Sequence, residues 1–186
     1  MLRIFYIFLL LLFIPAEVFA KKPPGSAYKD GGQSKIAVIL CHGRGKYPTW
    51  LVVNPLRKGL NIKLGIHTLS LQMPASRKNW RAYAEDFPQA YKTISEGVAF
   101  LKKKGVKHIY LMGHSMGSRM ATAYLAKHEN TGIKGFIGVG IRGGGGDPLD
   151  SHANLQSIKI PVLDLYGDGD RKDLKHAQAR SDRVSS

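Results

Sequence analysis

Five residues, Gly113-His114-Ser115-Met116-Gly117, place a hydroxyl between two small neighbours at a spacing suited to acyl transfer. A serine becomes a nucleophile when a tight strand-to-helix turn lifts its Oγ above a sheet and a base takes its proton. Glycines two positions either side relieve crowding at such a turn, and the next backbone N–H, that of Met116, can face a developing oxyanion. Gly-x-Ser-x-Gly is a short pattern, so its flanks carry the weight. Val106–Met112 is rich in β-formers, and Ser115–His128 sets Met116, Met120, Ala123 and Leu125 at near-helical spacing. The competing reading makes Ser115 an ordinary helix cap in a glycine-rich turn.

Two further segments hold suitable chemistry. His42-Gly43-Arg44-Gly45 follows the first apolar run, Ile36–Leu40, and offers a second oxyanion N–H, from Arg44 or, as second choice, Gly43. The last apolar run leads into Gly167-Asp168-Gly169-Asp170. Asp170 stands where an acid would orient a histidine, with Asp168 as the alternative acid. Both could instead cap the helix that begins near Arg171. Asp164 lies inside the run and suits a structural role.

These groups need elements to position them. Expected helices cover Asn54–Leu60, Asp86–Lys103, Ser115–His128, Leu149–Gln156 and Asp170–Arg183. Expected strands cover Ile36–Leu40, Gly65–Met73, Val106–Met112, Ile133–Ile141 and Ile160–Tyr166. Such alternation implies an α/β fold with a mainly parallel sheet and helices on both faces, where functional groups gather at strand carboxyl ends.

Read together, these segments resemble the α/β-hydrolase superfamily. They are similar in particular to a family of small exported proteobacterial α/β-hydrolase-like proteins. The residues that carry the likeness are Leu40–Gly45, Val53–Arg57, Thr68–Pro74, Gly113–Gly117 and Leu165–Asp170. The resemblance implies an exported serine hydrolase acting on an ester, thioester or amide, with Ser115 as nucleophile, Met116 and Arg44 at the oxyanion, and Asp170 as acid. It also implies a histidine one helix and strand beyond the acid. No residue sits there, so the chain reads as lacking the final strand and helix, with an open sheet edge and doubtful activity. His176 follows Asp170 by one helical stretch and is expected to point away from Ser115. His152 precedes the acid in a segment that could overhang the site. His42 and His114 suit turn packing, and His67, His108 and His128 ordinary strand or surface roles. The alternative is a non-catalytic protein of the same fold that binds anionic envelope components.

Residues 1–20 pair Arg3 with an apolar stretch and end in Val18-Phe19-Ala20, the pattern of a cleaved signal peptide and so of a periplasmic or secreted protein. Residues 21–35 read as a flexible lead-in and 36–186 as the domain. Twenty-eight Lys and Arg against thirteen Asp and Glu give +15, a surface that favours anionic partners. The charges are scattered rather than interleaved with aromatics, which speaks against nucleic acid. Cys41 is the single cysteine, so no intramolecular disulfide forms. Gly138-Val139-Gly140-Ile141-Arg142-Gly143 matches a dinucleotide fingerprint with Asp164 downstream, but two of its glycines fall inside an apolar run and no helix follows. No cofactor or metal is implied. Arg142–Asp147, with four glycines, reads as a mobile loop beside the site, and Trp50, Trp80 and Tyr83 as pocket-lining or packing aromatics.

Overall fold

The computed structural model describes residues 21–75, 79–169 and 171–184. The signal-peptide reading of residues 1–20 and the acid Asp170 therefore lie outside the described residues. Among those described, no helix is long and apolar enough to cross a membrane.

Six strands form one sheet in the order β1-β3-β2-β4-β5-β6. They are β1 (Ala27–Lys29), β2 (Ile36–Cys41), β3 (His67–Leu71), β4 (His108–His114), β5 (Ile133–Val139) and β6 (Val162–Leu165). All neighbours are parallel except β1, which runs antiparallel to β3 with Tyr28 opposite Leu69. The helices are α1 (Val53–Leu64), α2 (Phe87–Lys103), α3 (Met116–Lys127), α4 (Ser151–Gln156) and α5 (Arg171–Val184), with a 3-10 turn at Arg81–Asp86.

Alternation along β2 shows why both faces are covered. Ala37, Ile39 and Cys41 enter one cluster with Leu69, Leu71, Ile94, Leu111 and Met120, which buries the apolar stripes of α2 and α3. Val38 and Leu40 face the other side, with Val53 of α1 and Met112. A run apolar at every position is what a strand buried on both faces requires.

Several boundaries differ from expectation for local reasons. Helix α1 continues through Gly59 to Leu64 and stops at Gly65, which takes the left-handed conformation at φ 63°. Asp86 precedes α2 without capping it through its side chain. The stretch expected as a flexible lead-in instead contributes β1. Buried His67 holds it: Nδ1 accepts from Gly31 N–H at 2.9 Å and meets Tyr28 Oη at 2.7 Å, while Nε2 donates to Ser34 O at 3.1 Å. These bonds are long-range and leave no local periodicity. At the far edge, β6 leaves Val162 41 % and Leu163 54 % exposed.

Candidate active site

Ser115 sits between β4 and α3 at φ 54°, ψ −115°, a conformation that side-chain-bearing residues adopt only when their surroundings enforce it. Three hydrogen bonds impose it. Ser115 N–H donates to Val139 O on β5 at 3.0 Å, Ser115 O accepts from Ser118 N–H at 3.0 Å, and Ser118 Oγ donates to Gly113 O at 2.7 Å. The flanking glycines are required by close approach. A methyl on Gly113 would lie 2.6 Å from Ser118 Cα, and one on Gly117 would collide with Cys41 O at the end of β2. Packing α3 this tightly against the strand ends is what holds the hydroxyl at the crest of the sheet.

The loop after β2 approaches from the other side. A methyl on Gly43 would fall 3.3 Å from Ser115 Cβ. His42 anchors this loop: Nδ1 donates to Gly43 O at 2.9 Å and Nε2 accepts from Met73 N–H at 3.0 Å. That bond joins the ends of β2 and β3 and gives the Gln72-Met73 segment its role. Burial, the main cause, lowers the His42 pKa and likewise that of His114, so both imidazoles favour the neutral form.

An open cleft of about 410 Å³ lies over Ser115. Met116 and Arg44 line it with the serine, as does Trp80. Met116 opens α3, where backbone N–H groups point ahead of the helix's own bonding pattern. Among the other aromatics, Tyr83 is wholly buried in the core and Trp50 packs edge-on against Tyr47.

His176 also lines the cleft, contrary to the expectation that it points away from Ser115. Helix α5 is turned so that Ala177 and Arg180 are buried. Arg180 donates to Ile141 O and, through Nε, to Asp164 Oδ2 at 2.7 Å, which gives Asp164 the structural role its place inside a strand suggested. Asp173 accepts from Arg142 Nη2 at 2.9 Å, and His152 meets the His176 ring edge-on at 5.4 Å. These tertiary contacts set which face of α5 looks inward, and no residue near His176 in sequence reports them. Burial, the largest cause, and then the positive charges of Arg142, Arg180 and Arg119 lower the His176 pKa, against a smaller opposing pull from Asp173. Buried His152 packs beneath Gly143 rather than overhanging the serine. Asp168 is exposed in the turn before α5 and does not line the cleft.

Sequence reasoning passed over Arg81, Arg119 and Arg142, all of which line the cleft. Arg119 lies four residues after Ser115, one helical turn along α3, and that spacing was the available signal. Its guanidinium donates to Gly144 O at 2.7 Å, to Gly143 O at 2.9 Å and to Leu149 O, and stacks over Trp80 at 4.8 Å. Two carbonyls of the tetraglycine stretch, expected to be mobile, are thus tied to one buried cation, and Gly146 O accepts from Asp150 N–H at 2.9 Å. The dinucleotide reading finds no support in this geometry: Gly138 lies within β5, and Arg142 turns to Asp173.

Solved structures share this architecture. Dienelactone hydrolase from Anabaena variabilis is 16% identical, with 85% of this chain and 74% of that one aligned at a TM-score of 0.63. Est1E from Butyrivibrio proteoclasticus is 17% identical over 85% and 79% of the two chains, at 0.64. XC6422 from Xanthomonas campestris, a serine hydrolase without a lid, is 16% identical over 88% and 75%, at 0.59. At these identities the likeness shows an α/β-hydrolase-like fold. No curated protein matches the chain. Residues 76–185 match one family along more than half the chain, from the approach to α2 through α5, and the protein belongs to that family, described as "Protein of unknown function (DUF3530)".

Proposed function

We propose that this protein is a serine hydrolase that cleaves a small ester, thioester or amide at Ser115. The enforced φ of 54° at the head of α3, beneath an open cleft, is the observation that carries the reading. Backbone strain of this kind costs about 1–3 kcal/mol and persists where a function needs the geometry. His176 is the imidazole that shares the cleft, and its lowered pKa keeps it neutral and able to accept a proton near pH 7.

The chemistry follows from those two groups. His176 takes the proton of Ser115 Oγ as Oγ bonds to the carbonyl carbon, and the carbonyl π pair moves to oxygen. The N–H groups of Met116 and Arg44 face that oxyanion, with Gly43 holding the loop against Ser115. Collapse breaks the bond to the leaving group, which takes the proton from the imidazolium. Water then loses a proton to His176, attacks the acyl carbon, and releases the acid as Oγ is reprotonated. The acid that the hydrolase resemblance assigns is Asp170, with Asp168 as the alternative.

A fluorophosphonate probe tests the nucleophile. It should label the protein at Ser115 and leave Ser115→Ala unlabelled; equal labelling removes the claim. Export belongs to the same reading, and mature protein beginning near Lys21 in the periplasmic or secreted fraction would support it. The second reading, a non-catalytic binder of anionic envelope components, draws on the +15 charge and the arginines around Ser115. It predicts salt-sensitive binding to anionic vesicles that Ser115→Ala leaves intact.

A further inference from the structure

We infer that the substrate of this cleft carries its own negative charge: an ester bearing a carboxylate or phosphate close to the scissile bond. The inference rests on Ser115 as the nucleophile and deepens that reading. Four guanidinium groups, Arg44, Arg81, Arg119 and Arg142, line the space over Ser115, and among the described residues no Asp or Glu lines it with them. Beside the cleft Asp173 pairs with Arg142, and Asp150 acts electrostatically on Arg119. The walls argue in the same direction. Trp80 and Met116 supply the apolar surface, and no Leu, Ile, Val or Phe is among the described lining residues, so a long acyl chain finds little to bury against.

The arginines differ in what else they do. Arg119 is spent on the carbonyls of Gly143, Gly144 and Leu149, so it shapes the wall and contributes charge at a distance. Arg81 lies over the Trp80 ring at 4.6 Å, a placement that steadies a guanidinium while leaving its edge for a carboxylate or phosphate fork. Arg44 lines the cleft with Ser115 and, in the mechanism proposed above, gives an oxyanion N–H, so an anion it contacts lies near the reacting carbonyl. A cleft lined by one sign of charge also concentrates ligands of the opposite sign, and salt weakens that effect.

The test measures binding and turnover separately. Ser115→Ala protein is titrated calorimetrically with two matched pairs: monomethyl succinate against methyl butyrate, and butyryl-glycerol phosphate against monobutyrin. The anionic member of at least one pair should bind about tenfold tighter or more, and the preferred pair names the anion as carboxylate or phosphate. That preference should shrink between about 20 mM and about 500 mM salt. It should also fall below about threefold when Arg44→Gln and Arg81→Gln are added together, provided circular dichroism shows the native fold. Equal affinity within both pairs, no binding of any ligand, or a preference unchanged by the double substitution overturns the inference. Probe labelling and ester turnover by the unsubstituted protein report on Ser115 itself, so the two readings fail independently.

Discussion

Arg142 and Asp173 form an ion pair, Nη2 to Oδ1 2.9 Å, that ties the loop after β5 to the first turn of α5. His176 stands three residues further along the same helix, so this contact helps decide whether an imidazole faces the cleft. Asp173→Asn is expected to loosen α5 and lower kcat about tenfold, with little change in melting temperature because the pair is partly exposed and worth under about 1 kcal/mol. The pH–rate profile separates this role from a merely structural one. Asp173 raises the His176 pKa, so its loss should move the acid limb to lower pH.

Acid should silence the site at an unusually low pH. Burial and the neighbouring arginines hold His176 below the ordinary histidine value of about 6.5. Turnover should therefore fall only as pH drops through that lowered value, and His176→Gln should abolish both the limb and most of the rate. A midpoint at or above about 6.5 would contradict the arrangement.

Stability should respond to the same titrations with a definite sign. The folded pKa values of His42, His114 and His176 are all lowered, so the unfolded chain binds those protons first as pH falls. Their contribution is complete above about pH 6.5 and is lost as pH falls below that value toward the folded pKa values. His42 adds a structural reason, since protonated Nε2 could no longer accept from Met73 N–H. Melting temperature measured from about pH 8 to about pH 5 should decline on the acid side, and His42→Asn should flatten part of that decline.

The strain at Ser115 separates stability from activity. Glycine tolerates φ 54° where alanine does not, so Ser115→Gly should be more stable than Ser115→Ala by about 1 kcal/mol while both lose activity. In a chain of this size that is a difference of roughly 2–4 °C in melting temperature. Equal melting temperatures would mean the turn is unstrained.

Two glycines make opposite predictions for one substitution. Gly117→Ala drives a methyl into Cys41 O and should cost about 1–3 kcal/mol or prevent folding. Gly59 lies inside α1 with nothing within 4 Å of an added methyl, so Gly59→Ala should stabilise by about 0.5–1 kcal/mol. Thermal melts of the two variants check both.

The alternation of strands and helices, the mainly parallel sheet and the position of Ser115 between β4 and α3 are all legible in the order of residues. Those properties depend on local periodicity and on short turns whose residue types are diagnostic: continuous apolar runs for strands buried on both faces, and glycines where backbones touch. The content of the cleft, by contrast, comes from packing between distant segments. Arg81, Arg142 and His176 come from three segments far apart in the chain and join Ser115 in lining the cleft through contacts that leave no pattern in their own neighbourhoods, whereas Arg119 lies one helical turn beyond the serine. The strand β1 and the pinned tetraglycine loop were hidden for the same reason, since His67 and Arg119 hold them by hydrogen bonds across distant stretches. Side-chain direction on a charged helix such as α5 is likewise set by partners, Asp164 and Ile141 for Arg180, rather than by an apolar stripe of its own.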